Sequence, residues 1–103
     1  MYTVVKGKIR DNGYLSFVRG EECLVCGFSP CDPHHLMHAD DSEEMQRGMG
    51  LKNGDDLAVP LCRQHHDSMH RFGREKVWWT LQGVDPVRWA KENWEQYNDN
   101  RKR

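Results

Sequence analysis

Cysteine and histidine are the residues of this sequence best suited to bind a metal ion, and they are concentrated in one stretch. All four cysteines and all six histidines lie between Cys23 and His70. The segment Cys23–Gly27 reads Cys-Leu-Val-Cys-Gly, a spacing that brings two thiolates from one tight turn to the same tetrahedral ion. The segment Cys62-Arg-Gln-His65 repeats the spacing with an imidazole as its second ligand. Paired half-sites of this kind predict a structural zinc bound by Cys23, Cys26, Cys62 and His65.

Cys31 offers an alternative fourth ligand, which would leave His65 free. We favour His65, because Cys31 has no companion at the same two-residue spacing. Its simpler interpretation is a small buried or surface thiol with no metal role.

The remaining histidines form a second group. His66 and His70 are one turn apart on a predicted helix and therefore share a face. His34 and His35 are neighbours at the start of a predicted strand, so their side chains point to opposite sides. This pattern supplies three imidazole ligands for a divalent ion and a fourth imidazole as a base. Phosphodiester hydrolysis requires such a cation and a base that titrates near neutral pH. We interpret His38 as a surface residue.

Composition limits the size of the core that holds these residues. The 103 residues are 37% hydrophobic and 30% charged, which predicts a single domain, 1–103, with a thin core that needs a staple such as a metal. The net charge of −1 excludes a generally basic surface, but not transient nucleic-acid binding through a local patch.

The N-terminal residues carry no apolar stretch of signal-peptide length, and no run is long enough to cross a membrane. We therefore expect a cytoplasmic protein with no membrane partner. In a reducing compartment, thiols serve metals more often than disulfides.

Short elements must position the two groups. The predicted strands are Tyr2–Ile9, His34–Met37 and Leu57–Leu61. The predicted helices are Arg63–Phe72, Arg74–Gln82 and a third from Asp85-Pro86 to about Tyr97. Between them we expect a turn at Asp11–Gly13, a helical turn or strand at Tyr14–Arg19, an exposed loop at Asp40–Gly54 and a frayed tail at Asn98–Arg103. The side chains expected to pack the helices onto the body are Trp78, Trp79, Leu81, Trp89 and Trp94.

The order of these motifs resembles the HNH, or ββα-metal, endonucleases. Cys-x-x-Cys-Gly is followed by His-His-Leu, an Asp before a short strand, and Cys-x-x-His-His-x-x-x-His. The core Pro-Leu-Cys-Arg-x-His-His is similar to the phage and prophage branch that includes the RecA-dependent recombination-enhancement nuclease. The resemblance covers about residues 17–79. It implies an α+β fold with a ββα-metal motif stapled by the zinc knuckle, and a C-terminal helical extension over about residues 84–103.

The resemblance also implies roles for individual residues. His35 matches the general base that activates water, and His34 the metal ligand before it. His66 matches the last His of the motif, a catalytic metal ligand, and His70 a further ligand. The middle position, normally Asn, falls on Asp55 or Asp56. We favour Asp55, which would orient the base or bind the metal.

The implied cofactors are a structural Zn²⁺ and a catalytic Mg²⁺ or other divalent ion. The implied partner is DNA, with a phage or host recombination or packaging protein as a candidate second partner. The candidate phosphate contacts are Arg63, Arg71 and Lys52. One alternative is a non-catalytic, zinc-ribbon-like module that binds nucleic acid or protein. Another is a metal-dependent hydrolase of a different substrate.

Overall fold

The computed structural model describes residues 3–5, 8–37 and 54–101, with 3–5 and 101 by their backbone alone. The fold is α+β, as the sequence predicts. The described strands are β1 (Thr3–Val5), β2 (Lys8–Arg10), β3 (Asp32–His35) and β4 (Ala58–Leu61). The described helices are α1 (Asn12–Arg19), α2 (Arg63–Phe72), α3 (Glu75–Gln82) and α4 (Pro86–Arg101). A 3₁₀ turn covers Asp55–Leu57.

The N-terminal segment forms two strands where the sequence predicts the single strand Tyr2–Ile9. β1 pairs antiparallel with β2, with Thr3 opposite Arg10 and Val5 opposite Lys8. The reason is that an antiparallel ladder satisfies the backbone groups of both short strands, which one isolated extended segment cannot do.

The predicted turn at Asp11–Gly13 is instead the start of helix α1. Asp11 has extended backbone angles, and its carboxylate accepts a hydrogen bond from the backbone N–H of Tyr14 at 3.0 Å. This is an N-cap, which uses the same short acidic side chain that favours turns. The helix that follows buries Tyr14 and Val18.

β3 and β4 form an antiparallel hairpin that places His34 opposite Val59 and His35 opposite Ala58. The predicted strands His34–Met37 and Leu57–Leu61 overlap these strands with shifted ends, and the backbone N–H of Leu36 still bonds the carbonyl of Leu57 at 3.0 Å. All four residues of β4 are buried.

The predicted exposed loop Asp40–Gly54 lies outside the described residues except for Gly54, which is buried. A Cβ on Gly54 would lie 2.7 Å from the backbone nitrogen of Ile9, so only glycine allows this close approach to β2. The approach places the following residue, Asp55, against the end of β2.

Helix α2 has the predicted bounds and ends at Gly73, whose φ of 81° is the left-handed conformation typical of a helix C-terminus. Helix α3 then begins at Glu75, one residue later than predicted. Its core-facing side carries Trp78 and Trp79, which are buried with their rings edge to face at 5.0 Å.

Two expectations about the C-terminal helices are wrong. Leu81 is 67% exposed, because it lies off the face of α3 that carries Trp78 and Trp79. Helix α4 continues to Arg101, so the tail is helical beyond the expected fraying point at Asn98. Trp89 is partly buried against the core, and Trp94 packs edge to face on Tyr14 at 5.0 Å between ring centroids. The buried core is formed by Cys23, Cys31, Leu36, Leu57, Val59, Leu61, Cys62, Met69, Trp78, Trp79 and Ala90.

Candidate metal centres and active site

The structure brings together the four side chains of the predicted zinc site. The ligand atoms of Cys23, Cys26, Cys62 and His65 all lie within 4.8 Å of one another. The first half-site is a turn in which the N–H of Gly27 bonds the carbonyl of Cys23 at 2.9 Å and Gly27 has a φ of 79°. The second half-site is the start of helix α2, where Cys62 is the N-cap.

The distances within this group, hereafter the knuckle, fit one tetrahedral ion. The Sγ atoms of Cys26 and Cys62 are 3.8 Å apart. Two thiolates bound tetrahedrally at about 2.3 Å from zinc would be about 3.8 Å apart. His65 Nδ1 lies 3.2 Å from Cys62 Sγ and 3.8 Å from Cys23 Sγ, close to the roughly 3.5 Å expected for a sulfur and a nitrogen on one ion. All four cysteines are free thiols.

The electrostatics of Cys23 also suit metal binding. Burial opposes ionisation of its thiol, but backbone N–H groups at Cys62, Cys26 and Val25 outweigh burial and lower its pKa to about 6. The Val25 N–H lies 3.4 Å from the Cys23 sulfur. Since the thiolate is the form that binds metal, this environment favours ligation near neutral pH.

Cys31 lies outside the four. Its buried thiol donates to the carbonyl of Phe28 at 3.1 Å. Burial, together with the nearby thiols of Cys23 and Cys62, raises its pKa to about 12. It therefore stays a protonated thiol at neutral pH, which agrees with the preference for His65 over Cys31 as the fourth knuckle residue.

A second group, hereafter the triad, contains His34, His66 and His70, whose candidate ligand atoms also lie within 4.8 Å of one another. His34 comes from β3, whereas His66 and His70 lie on one face of α2. The Nε2 atoms of His66 and His70 are 3.1 Å apart. Two nitrogens bound to one ion at about 2.0–2.1 Å would be about 3.0–3.4 Å apart, so the residues present fit a shared divalent ion.

Two carboxylates contact ring nitrogens of the triad, one on His66 and one on His34. Asp32 Oδ2 lies 3.2 Å from His66 Nδ1, and Glu75 Oε2 contacts His34 Nε2. Burial of Glu75 would raise its pKa, but its hydrogen bond with His34 and those from the Met37 N–H and the Trp79 indole hold the pKa below its usual value. Burial likewise opposes ionisation of Asp32, whereas Arg63 and His66 lower its pKa. Neither carboxylate is predicted from the sequence, because no local pattern links Glu75 to His34, which is 41 residues away.

His35, the neighbour of His34, has a different partner. Its Nε2 lies 2.7 Å from Oδ1 of Asp55, which is 2% exposed. The other carboxylate oxygen of Asp55 accepts the backbone N–H of Asp11 at 2.7 Å, and Arg10 Nη1 lies 3.8 Å from Oδ1. Asp55, favoured over Asp56 from the sequence, is thus the aspartate that contacts His35. The buried Asp55 carboxylate thus fixes the orientation of the His35 imidazole through its Nε2 atom.

The three basic residues predicted to contact phosphate have different surroundings. Arg63 is exposed at the start of α2 and bonds Asp32 through Nε at 2.9 Å and Nη2 at 3.4 Å. Arg71 is exposed near the end of the same helix. Lys52 lies outside the described residues. Within the described part of the chain, no helix is both long and apolar enough to cross a membrane.

Comparison with known proteins assigns the chain to a protein family. A family model described as "Protein of unknown function (DUF968)" matches residues 6–96, so the chain belongs to this family. The chain is also 41% identical over 58 residues to "Uncharacterized protein YdfU" of Escherichia coli (strain K12). That match covers 55% of this chain and 15% of the relative, so the chain spans a minor part of that protein. No solved structure matches the chain.

Proposed function

We propose that this chain is a metal-dependent endonuclease of the HNH, or ββα-metal, type that hydrolyses phosphodiester bonds in DNA. One observation carries the proposal. The β3–β4 hairpin and helix α2 bring together an imidazole triad that fits an ion, and the same hairpin holds His35 on a buried carboxylate. A cation site and a positioned base are the two parts that phosphodiester hydrolysis requires.

The order of elements supports this assignment. Strands β3 and β4 pair antiparallel, and α2 begins two residues after β4 ends. The knuckle fastens this unit to the preceding turn, and the N–H of Leu24 also bonds the carbonyl of Pro60 at 3.2 Å. A hairpin followed by a ligand-bearing helix is the arrangement that the resemblance to the HNH enzymes implies.

His35 is the general base in this proposal. With Asp55 accepting a hydrogen bond from the N–H at Nε2 of His35, the lone pair of Nδ1 is free to take a proton from water. The water oxygen attacks phosphorus while the bond from phosphorus to the 3′-oxygen breaks. The departing 3′-oxygen takes a proton from solvent and the His35 imidazolium returns its own to solvent, which leaves a 5′-phosphate and a 3′-hydroxyl end. Asp55 stabilises the imidazolium that forms, as a carboxylate does in other imidazole-based sites.

His34, His66 and His70 would hold the ion. When bound there, a divalent ion stabilises the charge that develops on the phosphate and leaving oxygens. Three protein ligands leave positions for water and phosphate oxygens. We propose Mg²⁺ or another divalent ion in cells. Because imidazole suits transition-metal ions better than it suits Mg²⁺, Mn²⁺, the transition-metal ion closest to Mg²⁺ in its ligand preferences, belongs in the test.

DNA contacts are proposed at Arg63 and Arg71, two exposed basic side chains on α2, the helix that carries His66 and His70. Lys52, which lies outside the described residues, is a further proposed contact. A recombination or packaging protein of phage or host is the proposed second partner, and the cytoplasm is the proposed compartment. The alternative function, a zinc-ribbon-like binding module, explains the knuckle equally well. It gives no reason for a buried aspartate to contact His35.

A plasmid-cleavage assay tests the proposal. Purified protein with zinc in the knuckle is incubated with supercoiled plasmid, with and without Mg²⁺ or Mn²⁺. We expect nicked or linear product only with the divalent ion, and none from the His35→Ala variant prepared in parallel. Intact plasmid under all metal conditions, or equal cleavage by His35→Ala, would reject the proposal. Intact plasmid with retained DNA binding would favour the binding module.

A further inference from the structure

Glu75 is a buried carboxylate that the proposed chemistry does not use directly. It is the first residue of α3 and is 7% exposed. Removing a carboxylate from water is unfavourable unless hydrogen bonds replace its hydration. The hydrogen-bond partners of Glu75 therefore indicate its role.

Two of its contacts fix the carboxylate independently of the triad. Oε1 accepts the backbone N–H of Met37 at 2.9 Å, and Oε2 accepts the indole N–H of Trp79 at 3.2 Å. Both partners can only donate, so the carboxylate is held as an acceptor in one orientation. In that orientation Oε2 also contacts Nε2 of His34.

The contact with His34 determines which ring nitrogen can bind a metal. An ionised carboxylate can only accept, so His34 Nε2 must carry the hydrogen, and Nδ1 of the neutral ring keeps its lone pair. We propose that Glu75 is a positioning residue that fixes this tautomer of His34 and leaves Nδ1 as its ligand atom for the triad ion. This inference rests on the proposed ion site at the triad.

His66 also has a carboxylate on one ring nitrogen, but this carboxylate is less firmly held than Glu75. Asp32 contacts Nδ1 of His66, so that Nε2 of His66 faces His70. Asp32 is shared with Arg63 and its side chain is 31% exposed, whereas Glu75 is buried. A carboxylate on the outer nitrogen of a metal-binding imidazole sets the tautomer and ring orientation, and its loss typically weakens metal affinity about 10–100-fold. Glu75 is the more rigid example of this arrangement.

The experiment compares four proteins, each with zinc already in the knuckle. They are the wild type, Glu75→Gln, Val18→Ala and Glu92→Gln. Val18→Ala shortens a fully buried apolar side chain on α1, so it perturbs the core without removing a hydrogen-bond partner of Glu75 or His34. Glu92→Gln is the matched control, since Glu92 is an exposed carboxylate on α4 that pairs with Arg88. Titration calorimetry measures binding of a second equivalent of Zn²⁺, and long-range proton–nitrogen NMR of the wild type reads the His34 tautomer.

We expect the wild type to show the Nε2–H tautomer of His34 before the second Zn²⁺ is added. Glu75→Gln should bind the second Zn²⁺ about 10–100-fold more weakly, because one amide oxygen cannot accept from all three donors. Val18→Ala should lower the melting temperature but leave this affinity near the wild-type value, and Glu92→Gln should change neither. If Glu75→Gln does not fold, the tautomer of the wild type still decides.

Three results would overturn the inference: an Nδ1–H tautomer, wild-type Zn²⁺ affinity in Glu75→Gln, or equal weakening in Val18→Ala, which would mark general structural support. Wild-type protein that takes up no second Zn²⁺ would overturn both the inference and the triad ion of the proposed function. If the second Zn²⁺ binds and depends on Glu75 but plasmid stays intact with Mg²⁺ or Mn²⁺, the inference is supported and the nuclease proposal fails.

Discussion

The knuckle and the triad are both clusters of metal-binding side chains, but they differ in ligand type and number. The knuckle combines three thiols with one imidazole, and two of its cysteines, Cys23 and Cys62, are buried. The triad has three imidazoles, with His34 buried and His70 exposed. Four protein ligands complete a tetrahedral zinc, whereas three leave room for water or substrate. The first arrangement suits a structural metal and the second a catalytic one.

Helix α2 links the two clusters through adjacent residues. His65 faces the knuckle and His66 faces the triad, and the N–H of His66 bonds the carbonyl of Cys62 at 2.8 Å. The orientation of the first turn of α2 therefore determines the positions of both His65 and His66. A metal in the knuckle would hold the helix in the orientation that the triad needs, so we predict that loss of the knuckle metal weakens metal binding at the triad.

Loss of a knuckle thiol should have the largest effect. We expect the Cys62→Ser variant to lose its tightly held zinc and much of its folded structure at 25 °C, because structural zinc supplies on the order of 10–16 kcal/mol of apparent binding free energy in small zinc domains. Elemental analysis for zinc, together with circular dichroism on heating, measures both. A Cys62→Ser chain that stays folded and binds zinc as tightly as the wild type would remove the structural role of the knuckle.

Cys31→Ser is the matched control for that experiment. Cys31 is a buried thiol near the knuckle, but its hydrogen bond goes to Phe28. We expect this variant to keep one zinc per chain and a melting temperature within a few degrees of the wild type.

Loss of the proposed base should leave the knuckle and the triad intact. We expect His35→Ala to bind zinc, the divalent ion and DNA like the wild type, while the plasmid-cleavage rate falls by about two to four orders of magnitude, the usual scale for a general base. The pH–rate profile should also lose the rising limb that a general base produces. Matched losses of stability and activity would instead assign His35 to the fold.

Loss of Asp55 should reduce the cleavage rate less than loss of His35. Asp55→Ala keeps His35 but removes the acceptor at 2.7 Å from Nε2, so we expect a drop in cleavage rate smaller than that of His35→Ala, with affinity for the divalent ion unchanged. Asp56→Ala is the control from the adjacent position. Calorimetric titration of Mn²⁺ separates the two roles left open by the sequence, because weakened Mn²⁺ binding in Asp55→Ala would make Asp55 a ligand.

Local sequence patterns predicted much of the site. The Cys-x-x-Cys and Cys-x-x-His spacings place ligands by the geometry of one turn, and the bounds of α2 follow from its glycine end. Their convergence in space agrees with the groups predicted from spacing. The choice between Asp55 and Asp56 came from the resemblance, and the structure places Asp55 next to His35.

Other features depend on contacts that no local pattern encodes. Asp11 can form a turn or an N-cap. The N-cap forms here because helix α1 buries Tyr14 and Val18. Glu75 stands at an ordinary helix start in the sequence, and it meets His34, 41 residues away, only in the folded chain. Two-stranded pairing of β1 with β2 likewise depends on the second strand.

The smallest effect on cleavage at high metal concentration is expected from His66→Ala. This variant removes one of three imidazoles from the triad, while His34 and His70 remain and water can replace the missing ligand. At low Mn²⁺ the cleavage rate should fall because less ion is bound, and raising the Mn²⁺ concentration should restore part of it. His35→Ala should show no such recovery, since additional ion cannot supply a positioned base. The measurement is the cleavage rate of each variant across a Mn²⁺ titration, with DNA in excess. Equal recovery in both variants, or in neither, would contradict the division between a base on one side of β3 and an ion on the other.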